Sequence, residues 1–475
     1  MNEKKPCSVE EPPDGGYGWV ILVSSMAIAF ICGGNFYNCG IFLVSFVEHF
    51  QQGTAQVSLI GSISSALYVS SGLLANPLCK RFGVRIVVMV AGSISTVGVI
   101  LSIFTPSLMF LYFSYGVLVG FGRGVSVFST FLIMPQYFKK RYAVANGMTF
   151  VGVSVGILCL APLYNFVIEV YGWRGAMFIV AGIDVHLLVF GSLLRPLPRE
   201  SNGEKNTFYK LTAGNSERDD VSKNELKYHH SLESMAMLRE QEYSPVKTKH
   251  IRTGHFFIKC SNLPVLKLFL KNPVFSLIYF AQLLESFGIS TTLMYIVARA
   301  ISMDISRLNA SFLMTLMGIG WMMGCLSHGW IVHTGYISAI TLMGLTIAGS
   351  GMAVLCIVFV HTYALLVVFV VCYGIFCGTY QPVIMVALRE CVEDKDHGTA
   401  AALDWSIMSV GYMFGPPIAG WLYDTSGTFN TPFLVAGGVL VCSGIMVLLA
   451  SRMKTRLEYG PFSPRDYEVQ IWRNP

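Results

Sequence analysis

The chain has 475 residues, 53% hydrophobic and 13% charged, with a mean hydropathy of +0.58. Soluble domains carry about 25% charged residues, so this composition excludes an ordinary soluble domain and points to a bilayer. The formal net charge of +6 is too small for a nucleic-acid binder, and it is spread over loops instead of gathered in a patch.

Residues 1–17 lack an apolar core and read as a cytoplasmic tail, not a cleaved signal peptide. Apolar runs long enough to span follow near 18–42, 57–79, 85–106, 108–134, 143–168 and 176–195. A second set lies near 274–298, 309–331, 336–360, 363–387, 398–421 and 432–451. These make an N-terminal six-helix half over 18–195 and a C-terminal half over 273–451, with a tail at 452–475. Residues 196–272 are polar, mixed in charge and free of any spanning run, and are predicted to be a largely disordered cytoplasmic linker with a short amphipathic helix near 231–241. Lys80, Arg81, Arg85, Lys139, Lys140, Arg141, Arg452, Lys454 and Arg456 fall in loops on the side of both termini. An excess of Lys and Arg marks cytoplasmic loops, so both termini are predicted to be cytoplasmic. The cysteines fall mostly singly inside apolar runs, which reads as small buried hydrophobes and supports neither a disulfide frame nor a metal site. Asn309-Ala310-Ser311 is a glycosylation sequon that abuts a helix start.

The fourth span carries the strongest local signal. Gly116, Gly120 and Gly124 recur every fourth residue, the small-residue spacing that lets membrane helices approach backbone to backbone. Beside them sits Arg123, deep in the apolar run. An arginine there costs a few kcal/mol or more unless it faces protein or water, so it is either a binding group or one half of a structural pair.

An internal repeat is legible as well. Ala145, Ser154, Gly156, Pro162, Gly172 and Gly182 recur 255 positions later as Ala400, Ser409, Gly411, Pro417, Gly427 and Gly437; one helix earlier the offset is 258, pairing Gly116 and Gly120 with Gly374 and Gly378. The same residues recur in the same order and orientation, which describes a parallel duplication. Two six-helix halves related by an axis along the membrane normal are the arrangement of major facilitator transporters, with solute held near the midplane. The predicted fold is therefore all-α, with twelve transmembrane helices in two parallel halves. No phosphate-binding G-x-x-x-x-G-K-[ST] motif and no hydrolytic cluster occur, so neither ATP nor an enzymatic function is expected.

The 258 offset carries Arg123 onto Gln381, which places a cation and an amide at related depths, suited to a carboxylate. For Gln381 an interhelical hydrogen bond is the competing reading. Glu285, in the seventh span, can neutralise Arg123, bind a substrate cation or take up a proton. Asp184 and His186 lie two apart, so at most one faces the interior. Asp404 reads as a helix-end or gate contact, and Phe36, Tyr37, Trp321 and Tyr380 as cavity-lining or packing aromatics.

Two longer motifs carry a family resemblance. Asp14-Gly15-Gly16-Tyr17-Gly18-Trp19 resembles the D-G-G-W-G-W signature of the monocarboxylate transporter family, with Tyr17 for the usual Trp. Tyr137-Phe138-Lys139-Lys140-Arg141 through Ala145-Asn146-Gly147 resembles the same family's Y-F-x-K-R-R…A-x-G signature, and Gly172-Trp173-Arg174 and Gly415-Pro416-Pro417 also fit. The resemblance implies a plasma-membrane carrier of a small organic solute, often a monocarboxylate. In some members it implies a single-span immunoglobulin-like accessory glycoprotein. It also marks Asp14, Lys140 and Arg141 as gating or conformational positions. The departures narrow it: where proton-coupled lactate carriers of the family have a lysine in the first helix and an aspartate and arginine in the eighth, this chain has Tyr37, Trp321 and Cys325. Proton–lactate symport is thus not expected, and a carboxylate or zwitterion held by Arg123 and Glu285 is. The loss of those charges equally fits a transporter-like sensor or scaffold without solute flux.

Overall fold

The computed structural model describes residues 14–138, 141–195, 273–333, 337–391 and 397–459, and every regular element among them is a helix. The first, α1, runs Gly18–Tyr37 and continues as Cys39–Phe50 after a break at Asn38. Next, α2 consists of Thr54–Ser70 and Gly72–Phe82, bent by 49°. Then come α3, Val84–Ile103, and α4, Leu108–Tyr137. The helical run Tyr142–Leu193 is broken at Gly172, whose φ of 69° and ψ of 174° no helix contains, and so divides into α5 (142–171) and α6 (173–193). The second half holds α7, Pro273–Ile301, α8, Arg307–His333, and α9, Ala339–Cys356. It ends with α10, Tyr363–Cys391, α11, His397–Ser426, and α12, Asn430–Tyr459.

Taken singly, nine described helices are long and apolar enough to span, or ten with the bent α2 as one. The count reaches the expected twelve once the run Val144–Leu193 is divided at Gly172 and α11 is included. The latter falls short on apolarity because Asp404, Asp424 and several small polar residues lie along it. Element ends differ from expectation chiefly in α1, which reaches Phe50 before Gln51, at φ 52°, closes it in a left-handed turn. The linker, its amphipathic helix and Lys140 lie outside the described residues, as do most of both tails.

The repeat has a structural counterpart. Gly172 and Gly427, 255 apart, both adopt φ 69° and both separate consecutive spans. Glycine takes that conformation without the steric penalty a side chain would bring. Gly116 and Gly120 of α4 lie against Ile60, Ile63 and Ser64 of α2, while Gly374 and Gly378 of α10 lie against Met317 and Trp321 of α8. The same glycines thus make the same close helix pairing in each half. Between the halves, α2 packs along α11 and α5 along α8. In the sequon, Asn309 is exposed in the first turn of α8, while Ser311 is fully buried and its hydroxyl donates to Leu308 O.

Candidate functional site

Five charged residues are buried among the described helices: Arg123, Asp184, Glu285, Arg299 and Asp404. How each is partnered decides what the interior can hold, because an unpaired charge away from water costs several kcal/mol.

Arg123 is drawn inward by its glycine neighbours. Gly120 and Gly124 bring α4 against the α2 backbone, and Gly122 brings it against Ala91 and Ser95 of α3. From there the side chain reaches α6, where Nε and Nη2 donate to the two carboxylate oxygens of Asp184, each at 3.1 Å. Ser95 Oγ donates to the same carboxylate at 2.6 Å, and the guanidinium lies over the Tyr115 ring at 5.9 Å. The counter-ion is therefore Asp184, not Glu285. Of the two candidates on α6, Asp184 is the inward one, whereas His186 is exposed and contacts Gly182 O. Arg123 also borders a cavity with Asn35, Phe36, Ser64, Ser65 and Tyr68, whose volume of about 10 Å³ is room for one water.

At the centre, aromatic side chains from both halves close on one another. Phe36 of α1 stacks on Tyr68 of α2 at 4.4 Å and meets Tyr412 of α11 at 5.3 Å. Tyr37 packs against Trp321 of α8 at 4.7 Å. Glu285 interacts electrostatically with Tyr37, Tyr380 and Tyr412, which places it at the edge of this cluster. It is fully buried, and among the described residues neither carboxylate oxygen has a hydrogen-bond partner, nor does the indole N–H of Trp321.

One turn before Glu285, Gln282 ties three helices together. Its Oε1 accepts from Tyr380 of α10 at 2.9 Å and its Nε2 donates to Asp404 of α11 at 3.3 Å. Asp404 is fully buried and its second oxygen is unpartnered, so its contacts are those of an interior acid and not of a helix end. Gln381 is half-buried beside Tyr380 and is absent from the Arg123 cavity; α4 packs on α2 and α3, and α10 on α8 and α9. Pseudo-symmetry alone does not bring Gln381 to Arg123.

The contacts close both ends of the centre. At the end bearing both termini, Trp405 of α11 lies edge-on to Phe128 and Phe131 of α4, at 5.4 and 6.0 Å. At the opposite end the Asp424 carboxylate accepts from Thr54 N at 3.2 Å and Ala55 N at 3.1 Å, capping α2 from α11, and Arg307 pairs with Glu48. The two sequence signatures also meet. Asp14 N donates to Tyr137 O at 3.1 Å, and Asp14 Oδ1 accepts from Arg141 N at 3.3 Å. Tyr17 and Tyr137 donate to Leu193 O and Arg195 O, so the motifs grip the end of α6 where the linker begins.

The Asp184 partnership was open to sequence reading, since Asp184 and Arg123 are the opposite charges deep in the first half. Gln282, three residues before Glu285 and on its face, carried the same kind of signal.

The family model described as Major Facilitator Superfamily matches residues 25–348 and 335–468. The chain is 29% identical to monocarboxylate transporter 12 of Mus musculus over 480 residues, covering 98% of this chain and 93% of that protein. It is 28% identical to monocarboxylate transporter 12 of Xenopus laevis, with 100% and 98% covered, and 29% identical to monocarboxylate transporter 9 of Rattus norvegicus, with 93% and 94% covered. The chain belongs to the monocarboxylate transporter family of the major facilitator superfamily. It is a multi-pass membrane protein and a secondary transporter.

Proposed function

We propose that the chain moves a small organic carboxylate or zwitterion by alternating access, with the solute held between the halves where Tyr37, Trp321 and Glu285 converge. The observation that carries this reading is the partnerless Glu285 beside an aromatic cluster drawn from both halves and shut at both ends. Buried polar atoms in native proteins are nearly always satisfied, so an unsatisfied carboxylate beside aromatics of both halves calls for a group that arrives from outside. The aromatics pack on one another across the halves and have to part when solute enters. Arg123, at the rim of the small cavity, can turn a remaining N–H toward the solute's carboxylate without giving up Asp184. Gln381 contributes only if α10 turns during the cycle.

Proton–lactate symport is disfavoured because Tyr37 and Trp321 are uncharged. Lys80, Arg81, Arg85 and Arg141 at the end carrying the termini support a cytoplasmic setting for that end, in the plasma membrane. The exposed apolar outer faces of the helices leave room for an accessory glycoprotein's single span. The test is uptake by the purified full chain in liposomes of labelled carboxylates and zwitterions, with and without an inward proton gradient. Saturable, gradient-independent uptake supports the reading; gradient-driven lactate uptake overturns it.

A further inference from the structure

Charge balance sharpens what the solute must bring. In the first half Arg123 and Asp184 neutralise one another. In the second half the central groups are acidic, Glu285 and Asp404, and Gln282 between them is neutral. The other buried cation, Arg299, lies fourteen residues beyond Glu285, about 21 Å along α7 at 1.5 Å per residue. It is held there by Asn430 Oδ1 and Ile357 O, each at 2.8 Å, so it cannot compensate Glu285. The groups that face Glu285 from the neighbouring helices are Tyr37 of α1, Tyr373, Cys377 and Tyr380 of α10, and Asp404 and Tyr412 of α11. Among the described residues, none of the groups facing Glu285 is a cation.

From this imbalance we infer that Glu285, beside Tyr37 and Tyr412, with Trp321 packed on Tyr37, is a subsite for the positively charged head of the solute: an ammonium, quaternary ammonium or guanidinium group. The inference rests on the transport reading above and deepens it, because it makes the cation obligatory and the carboxylate optional. Two independent features converge. The first is an acid, fully buried, whose two oxygens lack donors. An ammonium or guanidinium supplies those donors and the opposite charge at once. The second is the cluster of aromatic rings from α1, α8 and α11 at its side, a ring type that attracts an organic cation, the more so where water is excluded. A proton would neutralise the acid yet has no use for those rings. Gln282 is a positioning residue here: its amide engages both Asp404 and the Tyr380 hydroxyl, the two groups nearest in kind to partners for Glu285.

Carbon isosteres of charged solutes provide the test. Purified full chain in liposomes is offered glycine betaine against 3,3-dimethylbutanoate, and 4-aminobutanoate against pentanoate; within each pair only the positive charge differs. The expected result is at least tenfold faster uptake of a cationic member than of its isostere, a preference that Glu285→Gln abolishes and Glu285→Asp partly restores. Both variants are checked for wild-type elution and melting. Equal uptake within both pairs, or preference for the uncharged members, overturns the inference and leaves transport standing. A preference that survives in folded Glu285→Gln likewise overturns it. No uptake of any of the four solutes by protein that melts like the folded chain overturns the inference together with the transport reading.

Discussion

Arg123 and Asp184 form a bidentate ion pair across α4 and α6, 61 residues apart in sequence, with Ser95 completing the carboxylate's hydrogen bonds. Both side chains are sealed from solvent, at 4% and 0% exposure, so removing either charge strands the other. Breaking such a pair destabilises by about 3–5 kcal/mol, whereas replacing both members by apolar groups of similar size is often neutral. Asp184→Asn and Arg123→Gln are each expected to melt well below wild type in detergent. The double variant Arg123→Met with Asp184→Leu is expected to regain most of that loss. Should Arg123→Gln melt like wild type while carboxylate uptake disappears, Arg123 is a substrate ligand first and a tie second.

The link between the two signatures predicts a graded effect at Asp14. This residue sits at φ 46°, a left-handed conformation that Asn and Asp tolerate better than most side chains. Its Oδ1 caps Arg141 N. Asp14→Asn keeps both features and is expected to behave like wild type. Asp14→Ala loses both and is expected to lower stability by about 1–2 kcal/mol, read as a lower melting temperature of the purified protein.

The fold was legible because it is written in patterns of long range: spanning apolar runs, and glycines that recur at constant offsets. Gly172 and Gly427 could be matched before either was known to break a helix, since a left-handed turn leaves a glycine in the sequence. The site was harder. Arg123 announced itself by its depth, yet depth does not name a partner, and Asp184, Ser95 and the Tyr115 ring come from three different places in the chain. That the pseudo-symmetric counterpart Gln381 does not line the Arg123 cavity has a related reason. A repeat maps backbone onto backbone, while the side chain that points inward is fixed by local packing, and on α10 Tyr380 takes the interior position next to Gln282. Asp404 read as a gate contact because it lies two turns into its helix; its burial follows from Gln282, which only the fold brings near.

The Trp321 position depends on one glycine. A Cβ added at Gly378 would run into the Trp321 backbone carbonyl, with no flexible side chain to give way. Gly378→Ala is therefore expected to push α8 from α10, shift Trp321 from Tyr37 and cut uptake at least tenfold. Gly438→Ala, with nothing within 4 Å of its added methyl, is the matched control and is expected to retain wild-type uptake. Equal activity of the two variants would mean that the close pairing of α8 and α10 is not needed for transport.

Trp405 predicts how the closed centre opens. It packs against Phe128 and Phe131 from the other half, and Ala402 lies one turn earlier in the same contact with Ala75 and Phe128. An aromatic pair adds about 0.5–1.5 kcal/mol beyond its buried area, so removing two amounts to roughly a tenfold shift in a two-state equilibrium. At the opposite end the Asp424 cap on α2 has the corresponding place. In a cysteine-free background, Ala402→Cys is expected to react slowly with a hydrophilic thiol reagent and about tenfold faster when Trp405→Ala is added. Asp424→Asn is expected to leave Ala402→Cys no faster and to quicken labelling of Thr54→Cys instead. The two ends of an alternating-access carrier oppose each other, because each is stabilised only while the other is open or the centre is occluded. Faster labelling at both ends from a single variant would instead indicate loosening of the whole interface, and the Trp405 contact would then be packing without a gating role.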